Sequence, residues 1–166
     1  MKKILFTLIL GVAISSCSQA QKTEFTPEAL KGVLITTDKS ERTFQEIINE
    51  NKGSIVVIDV WASWCKDCIY GFPKVKELQK EFPDVVFLFL SVDRSNPSWK
   101  RAIDKYNLVG KHYNLPEGMS DGEFVNFINL NWIARYMVID ETGEIKLFKA
   151  TDASDEKIKE ALKATR

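Results

Sequence analysis

The sequence predicts an α/β domain in which a mixed central sheet is flanked by helices. Two nearly unbroken β-prone apolar runs, Ile55 to Trp61 and Val85 to Val92, have the composition of strands buried on both faces. The segment between them, Cys65 to Phe82, has apolar residues at helical spacing, so the three segments form a β-α-β unit. Further on, Ala134 to Asp140 and Ile145 to Ala150 are β-prone on either side of a turn, which predicts a hairpin.

Length and composition are those of one globular domain, with 166 residues of which 45% are hydrophobic and 28% are charged. The 23 Lys and Arg residues equal the 23 Asp and Glu residues, so no net basic charge points to nucleic acid. One His and three Cys are too few for a four-ligand zinc site or a His-rich metal cluster. We therefore look for chemistry among few residues and expect no bound cofactor.

The N-terminus has the pattern of an export signal. A short basic start (MKK) is followed by the apolar run Ile4 to Ile14, which is too short to span a bilayer because spanning needs about 20 apolar residues. The sequence ISSC, which ends at Cys17, resembles a bacterial lipobox, in which the Cys is lipidated and becomes the first residue. The sequence SQA, from Ser18 to Ala20, weakly resembles a small-x-small cleavage site and competes with the lipobox.

We favour the lipobox, which divides the chain into a signal peptide (1–16), a polar tether (17–32) and a folded domain (33–166). Lipid on Cys17 would hold the protein on a membrane surface in the bacterial periplasm or cell envelope. The alternative is that Cys17 is an incidental residue of a discarded peptide. Either way, two cysteines remain for chemistry.

The first part of the domain holds a hairpin and a helix. Leu34 to Thr37 and the turn after it begin the hairpin. Thr43 and Glu46 have the spacing of a capping box, which predicts that a helix begins there.

The second part of the domain adds three helices. Asn96 to Tyr106 has a Pro near its start and an apolar face, which predicts a helix. Lys111 to Asp121 has the composition of a loop, and a solitary His such as His112 is more often a packed or surface residue than a ligand. A helix from about Gly122 to Leu130 follows, and Ser154 is predicted to cap the last helix.

The strongest chemical signal is the pair Cys65 and Cys68, which lies where a buried strand turns into a helix. Unpaired backbone N–H groups and the helix dipole stabilise a thiolate at this place and can lower a thiol pKa from about 8.5 to about 3.5–7.5. Only a thiolate attacks a disulfide. Cys68, one helical turn further, can then reach back to resolve the mixed disulfide on Cys65.

Two structural roles compete with redox chemistry at this pair. A zinc half-site would need a second Cys or His pair, and the sequence has none. A purely structural bridge that closes so short a loop restricts the unfolded chain little, because the stabilisation grows with loop length. Redox exchange is therefore the favoured interpretation, and export strengthens it because exported proteins meet disulfides.

Two further residues are candidates for the site. Asp59 lies in an apolar run, where burial raises a carboxyl pKa, so Asp59 is a candidate to take the proton of Cys68 during resolution. The alternative for Asp59 is a strand-end residue that is hydrogen-bonded in a turn. Trp64, beside Cys65, is expected either to cover the active-site surface or to pack on the sheet.

The block VIDVWASWCKDC (57–68) resembles the strand-and-motif block of the thioredoxin-like superfamily, specifically of the exported TlpA/ResA-type thiol-disulfide oxidoreductases. VVFLFLSVD (85–93) is similar to the next strand of that family, and IARYMVIDETGEI (133–145) is similar to its late hairpin. The resemblance covers about residues 30–166. It implies a thioredoxin fold with Cys65 as the attacking thiol and Cys68 as the resolving thiol, and Asp59 falls where thioredoxins have a buried Asp.

The sequence departs from that family at two positions. The family usually has a cis-proline before the late strand, in a pattern like Pro-Arg-Tyr, and here Ala134 takes the place of the proline. A cis bond before Ala costs about 2.5–4 kcal/mol, so we expect a trans or strained loop there. Many relatives also have Glu three residues after the second Cys, where this chain has Gly71, so the proton role would rest on Asp59.

The sequence therefore predicts an exported, lipid-anchored, monomeric disulfide oxidoreductase with Trp64, Ala134 and Arg135 along its substrate groove. The resemblance favours a reductase of disulfide-bearing exported proteins that receives electrons from an upstream partner dithiol. Two alternatives use the same domain differently. One is a copper-binding metallochaperone with Cys65 and Cys68 as ligands, and the other is a redox-silent interaction domain.

Overall fold

The computed structural model describes residues 21–165, so the predicted signal peptide (1–16) and Cys17 lie outside the described residues. The strands are β1 (Val33–Thr36), β2 (Glu41–Thr43), β3 (Val56–Trp61), β4 (Val86–Ser91), β5 (Lys111–Asn114), β6 (Arg135–Ile139) and β7 (Ile145–Ala150). The helices are α1 (Pro27–Lys31), α2 (Phe44–Glu50), α3 (Lys66–Glu81), α4 (Asn96–Tyr106), α5 (Glu123–Phe127) and α6 (Glu156–Ala164). None of these helices combines the length and the apolar character that crossing a membrane requires.

The strands form one seven-stranded mixed sheet in the order β2-β1-β5-β4-β3-β6-β7. The neighbours β3 and β4 are parallel, as are β4 and β5, whereas the other pairs are antiparallel. The predicted β-α-β unit, late hairpin and mixed sheet are confirmed. Strand β3, which leads to the cysteines, is buried along its whole length in the middle of the sheet.

Helices cover both faces of the sheet. On one face, α3 packs on β3 through Trp61 and Phe72, whose ring centroids are 5.4 Å apart, and α4 contacts α3 through Phe72 and Tyr106. An ion pair joins α6 to the end of α3 on the same face. On the other face, α2 and α5 meet through Phe44 and Phe124, with ring centroids 4.5 Å apart, and α1 packs against both helices.

Strand β5 was predicted to be loop, and that prediction was wrong for Lys111–Asn114. The strand lies between β4 and β1, and its polar side chains find partners inside the fold. The ring of His112 stacks on Phe89 with centroids 5.1 Å apart, and the Asn114 side chain donates to the Ser91 carbonyl at 3.1 Å. Because the Asn114 amide is hydrogen-bonded and the His112 ring is stacked, the strand tolerates residues that a sequence pattern assigns to a loop, although Nδ1 of His112 has no hydrogen-bond partner among the described residues.

The helix caps agree with the sequence at α2 and differ at α6. Thr43 and Glu46 form the predicted capping box, in which the Thr43 N–H donates to the Glu46 carboxylate at 2.8 Å. Helix α6 is capped by Asp155, whose carboxylate accepts a backbone N–H of the first turn. The predicted cap, Ser154, instead donates its hydroxyl to Asp152 at 2.7 Å, so the helix begins one residue later.

The described part of the predicted tether, residues 21–32, packs on the domain. The Ile145 N–H donates to the Thr23 carbonyl at 2.7 Å, which lays this segment beside β7. Ala29 of α1 is fully buried. The partly buried ring of Phe25 anchors the segment further. Phe25 contacts the rings of Phe44, Phe124 and Phe127, with centroids 4.9–6.4 Å apart.

Candidate active site

Cys65 and Cys68 are joined by a disulfide at the start of α3, with Cα atoms 5.3 Å apart. Cys65 is the N-cap residue, and its sulfur accepts the Cys68 N–H at 3.1 Å. The exposed fraction is 5% for Cys65 and 0% for Cys68. Cys65 is therefore the sulfur that a partner can reach, and the helix N-terminus stabilises negative charge on it.

Asp93 holds the loop that leads from β3 to Cys65. Its carboxylate accepts the Ser63 N–H at 2.8 Å, the Ser63 hydroxyl at 2.6 Å and the Ser91 hydroxyl at 2.8 Å. Asp93 follows β4 and Ser63 follows β3, and parallel neighbours end at the same edge of a sheet. Sequence reasoning missed this contact, although the polar residues at the ends of two buried strands were a signal for it.

Asp59 lies inside β3, with 1% of its surface exposed. Both carboxyl oxygens lack a hydrogen-bond partner among the described residues. The alternative of a strand-end Asp bonded in a turn is therefore wrong. Burial raises the pKa of Asp59 to about 8, because the charged form is disfavoured away from water.

The side chain of Asp59 lies on the sheet face that α3 covers. Side chains two residues apart on a strand share a face, and Trp61, two residues on, packs against Phe72 of α3. Cys68 is one helical turn before Phe72 and is fully buried on the same side of the helix. The layer between β3 and α3 thus contains both the Cys68 sulfur and the high-pKa carboxyl group.

Tyr136 is a buried polar residue of this layer that sequence reasoning did not select. It lies directly opposite Asp59 in the register of β3 and β6. Its hydroxyl oxygen is 3.0 Å from the position that a Cβ on Gly71 would occupy, which places the hydroxyl against α3. Burial raises the pKa of Tyr136, and negative charge on Asp59 and Asp152 raises it further, so the hydroxyl stays neutral.

A groove beside Cys65, which we call the dithiol groove, is flanked by two exposed tryptophans. The exposed fractions of Trp64 and Trp132 are 60% and 58%. Large exposed apolar side chains next to a reactive group are typical of an interaction surface. The groove is lined by Trp64, Cys65, Lys66, Asp67, Met119, Asn131, Trp132 and Ile133.

Two residues predicted to line the groove are buried beneath it instead. Ala134 is 2% exposed and Arg135 is 1% exposed. Arg135 opens β6 and donates from Nη1 to the Ile128 carbonyl at 2.9 Å, so it supports the loop before β6. Successive residues of a strand point to opposite faces, and Arg135 therefore points away from Tyr136 and α3.

The peptide bond between Ile133 and Ala134 is cis, so the trans alternative of the predicted trans or strained loop is wrong. Both residues are buried, and the backbone that follows is held by the pairing of Arg135 with Val60 on β3. A cis bond before a residue other than proline persists where the surrounding structure fixes the backbone, as it does here.

The family model of thioredoxin-like proteins matches residues 52–145 of this chain. A thioredoxin of Geodia cydonium is 32% identical over 83 residues, which are 50% of this chain and 78% of that protein. A thioredoxin H-type of Oryza sativa subsp. indica is 37% identical over 81 residues, which are 48% of this chain and 63% of that protein. The rice match thus spans less than two thirds of the relative.

Solved structures share the fold over most of both chains. A Bacteroides vulgatus protein described as a thiol-disulfide oxidoreductase has a TM-score of 0.65 and 28% identity, covering 81% of this chain and 86% of that one. A secreted disulfide oxidoreductase of Mycobacterium tuberculosis has a TM-score of 0.64, covers 84% of this chain and 99% of that one, and shares the fold at 17% identity.

A mixed sheet of this topology, with a Cys-x-x-Cys disulfide at the start of a helix that packs on the sheet, defines the class of thiol-disulfide oxidoreductases. The family match covers more than half of the chain. The chain belongs to the thioredoxin-like family.

Proposed function

We propose that the protein reduces disulfides of exported proteins through Cys65 and Cys68. The observation that carries the proposal is the order of burial at the site: Cys65 lines the dithiol groove with 5% of its surface exposed, Cys68 is fully buried behind it, and Asp59 lies in the layer beneath. This order separates attack, resolution and proton transfer among three residues.

The exchange begins on the reduced protein. The Cys65 thiolate attacks one sulfur of a substrate disulfide, a mixed disulfide forms, and the other substrate sulfur leaves as a thiolate. The Cys68 thiol then gives its proton to the Asp59 carboxylate, and the Cys68 thiolate attacks the Cys65 sulfur. The substrate leaves as a dithiol, reduced by two electrons, and the Cys65–Cys68 disulfide is the oxidised product. An upstream partner dithiol reduces that disulfide again.

The raised pKa of Asp59 suits it to this step. A thiol has an ordinary pKa of about 8.5, and burial raises the pKa of Asp59 to about 8, so below pH 8 Asp59 is mainly a carboxylic acid and accepts a proton through its ionised fraction. Proton transfer between groups of similar pKa has little energetic cost in either direction. Asp59 can therefore take the proton of Cys68 in one half of the cycle and return it in the other.

The dithiol groove supports a polypeptide substrate. Trp64 and Trp132 present apolar surface on either side of Cys65, and aromatic residues of this kind are enriched at protein interfaces. Lys66 and Asp67 place one charge of each sign beside the sulfur, so the groove carries no charge preference. A disulfide next to an apolar segment fits this surface.

Disulfide exchange is tested with the reduced protein, an insulin-type disulfide substrate and a small dithiol as electron source. We expect turnover by the wild-type protein and none by Cys65→Ser. Cys68→Ser is the matched control, because it keeps the attacking thiol and is expected to accumulate a mixed disulfide that mass spectrometry detects. Equal turnover by Cys65→Ser and wild type would contradict the proposal.

The direction of electron flow is tested by the equilibrium reduction potential of the Cys65/Cys68 couple. A reductase is expected to have a value near that of thioredoxin, about −270 mV. A value near about −120 mV would instead indicate an oxidant that introduces disulfides.

We also propose that the protein is exported and anchored by lipid on Cys17. The export pattern and the ISSC sequence support this, and one structural neighbour is described as a secreted disulfide oxidoreductase. The anchor would place the domain on a membrane in the periplasm or cell envelope. Metabolic labelling with a radioactive fatty acid should mark the wild-type protein and leave Cys17→Ser unlabelled. Label that remains on Cys17→Ser would exclude this anchor.

A further inference from the structure

A second groove lies beside the dithiol groove, and we call it the serine groove. The two grooves share Trp64 and Met119 as lining residues, so they meet at these side chains. An extended chain advances about 3.3 Å per residue, so a polypeptide whose disulfide reaches Cys65 can place residues about two to four positions from its cysteine in the serine groove. The other polar residues that line the serine groove are Ser63, Asp93, Arg94, Ser95, Ser98 and Ser120.

The charge that a substrate can touch in the serine groove is positive. Among the described residues that line it, Asp93 and Arg94 are the charged ones. Asp93 is 3% exposed, and its carboxylate already accepts hydrogen bonds from Ser63 and Ser91, so a substrate cation makes no contact with it. Arg94 is exposed and forms no ion pair with another described residue. A substrate therefore meets the guanidinium of Arg94.

Arg101 brings a second positive charge to the rim of the serine groove. Its Nη2 donates to the Ser98 hydroxyl at 3.2 Å. Ser95 and Ser120 are exposed, and the Ser95 side chain makes no capping bond to α4, so hydroxyl donors are available to a ligand. Guanidinium groups and hydroxyls are donors that bind carboxylates. The serine groove thus offers the donors that an acidic side chain needs.

Charge selection falls to the serine groove because the dithiol groove has none. Lys66 and Asp67, one charge of each sign, line the dithiol groove beside the sulfur. Trp64 and Trp132 add apolar surface, which does not distinguish an acidic segment from a basic one. Arg94, on the far side of the shared residue Trp64, is the accessible charge that has no opposite charge within reach of a substrate.

We propose that the serine groove binds acidic residues that flank the disulfide of a substrate polypeptide, with Arg94 as the specificity-determining residue. The inference rests on the proposed function and names its substrate class. The acidic side chain pairs with the guanidinium of Arg94 while the substrate disulfide lies at Cys65, so the contact favours binding and leaves the exchange chemistry unchanged. An exposed ion pair contributes little free energy, so the preference for acidic segments is modest and is screened by salt.

The test uses synthetic peptides that each contain an intramolecular disulfide flanked on both sides by runs of Glu, Gln or Lys. The reduced protein is mixed with each peptide, and the second-order rate constant of its oxidation is measured from the free thiols in quenched samples. Each constant is divided by that of a small dithiol with the same peptide, which removes the intrinsic reactivity of the disulfide. We expect the Glu peptide to react about threefold to tenfold faster than the Lys peptide at low salt, and the ratio to fall towards one at high salt.

Variants of Arg94 assign the preference to the serine groove. Arg94→Gln should abolish it, and Arg94→Glu should invert it, so that the Lys peptide reacts faster. Because Arg94 is exposed, both variants are expected to fold. Lys100→Glu is the matched control, since it makes the same change of charge at an exposed residue of α4 that lines neither groove, and it should keep the wild-type order.

Equal rates with the Glu and Lys peptides, or a faster Lys peptide, in the wild-type protein would overturn the inference. An order that Arg94→Glu leaves unchanged would also overturn it, as would an order that Lys100→Glu inverts, because net charge would then decide the rates. Failure of the proposed function gives a different result, since the wild-type protein would then be oxidised by none of the peptides, whatever their charge.

Discussion

The hydroxyl of Tyr136 occupies the space next to the backbone of Gly71, 3.0 Å from the position of a Cβ. The two residues come from β6 and α3, and their contact fixes how closely the helix approaches the sheet behind Cys68. A side chain at position 71 and a hydroxyl at position 136 are therefore in conflict.

This contact predicts that the effect of Gly71→Ala depends on residue 136. Alanine in a helix interior is more stable than glycine by about 0.5–1 kcal/mol, and in the wild-type background the crowded hydroxyl should cancel that gain. In Tyr136→Phe the gain should appear, so a double-mutant cycle by urea unfolding should give a coupling of about 1 kcal/mol. The same stabilisation by Gly71→Ala in both backgrounds would show that the hydroxyl yields without cost.

The burial of Asp59 predicts a stability that depends on pH. Burial raises its pKa in the folded protein to about 8, whereas the unfolded value is about 3.9. Its contribution is thus fully present below about pH 4 and is lost as pH rises through about 8, by an amount on the order of 5 kcal/mol. Relative to Asp59→Asn, the oxidised wild-type protein should therefore become less stable between pH 4 and pH 8.

The control for Asp59 is Asp104→Asn, which changes an exposed carboxylate on α4. Its stability, measured by urea unfolding at each pH, should follow that of the wild-type protein across this window. A wild-type curve parallel to that of Asp59→Asn would mean that Asp59 is ionised in the folded protein at neutral pH.

The dithiol groove predicts a separation between large and small substrates. Trp132→Ala should raise the KM for a protein disulfide about tenfold, the effect of losing about 1.4 kcal/mol at an aromatic contact, with little change in kcat. The rate with a small aromatic disulfide should stay the same. Tyr70→Ala is the control, since Tyr70 is 81% exposed and lies outside the groove. An equal loss with both substrates would assign Trp132 a structural role.

The contacts of Asp93 predict a graded loss of stability in the loop before Cys65. In Asp93→Asn an amide NH2 replaces either Oδ2, which accepts the Ser63 N–H and the Ser91 hydroxyl, or Oδ1, which accepts the Ser63 hydroxyl, and the charge that strengthens these bonds is lost, so the change should cost about 1–3 kcal/mol. Ser63→Ala removes one hydrogen bond and should cost about 1 kcal/mol. Urea unfolding of the oxidised proteins measures both, and an Asp93→Asn protein as stable as wild type would contradict the assigned bonds.

Local sequence patterns predicted the centre of the fold because its strands bury both faces. Ile55 to Trp61 and Val85 to Val92 are apolar apart from one polar residue each, and β3 and β4 lie within these runs. Strand β5 escaped prediction because its polar side chains make their contacts elsewhere in the fold, where Asn114 donates to Ser91 and His112 stacks on Phe89. The position of Asp59 was predictable for the same reason as β3, since one carboxyl group in an apolar run is buried with the run.

The rest of the site depends on strand register, which no local pattern contains. Tyr136 meets Asp59 only because β6 pairs with β3 in one alignment. Arg135 was assigned to the groove because it neighbours Ala134 in the sequence, but alternation along the strand turns it to the opposite face. Trp132, three residues earlier, is the residue that reaches the groove.

The docking of residues 21–25 on the domain limits how far an anchored protein could reach. With lipid on Cys17, as proposed, only four chain steps separate the acyl chains from Gln21, and an extended chain spans at most about 3.3–3.6 Å per residue. The catalytic body would thus stay within about 15 Å of the headgroups by the same arithmetic. Disulfides close to that membrane would therefore be the ones it meets most often.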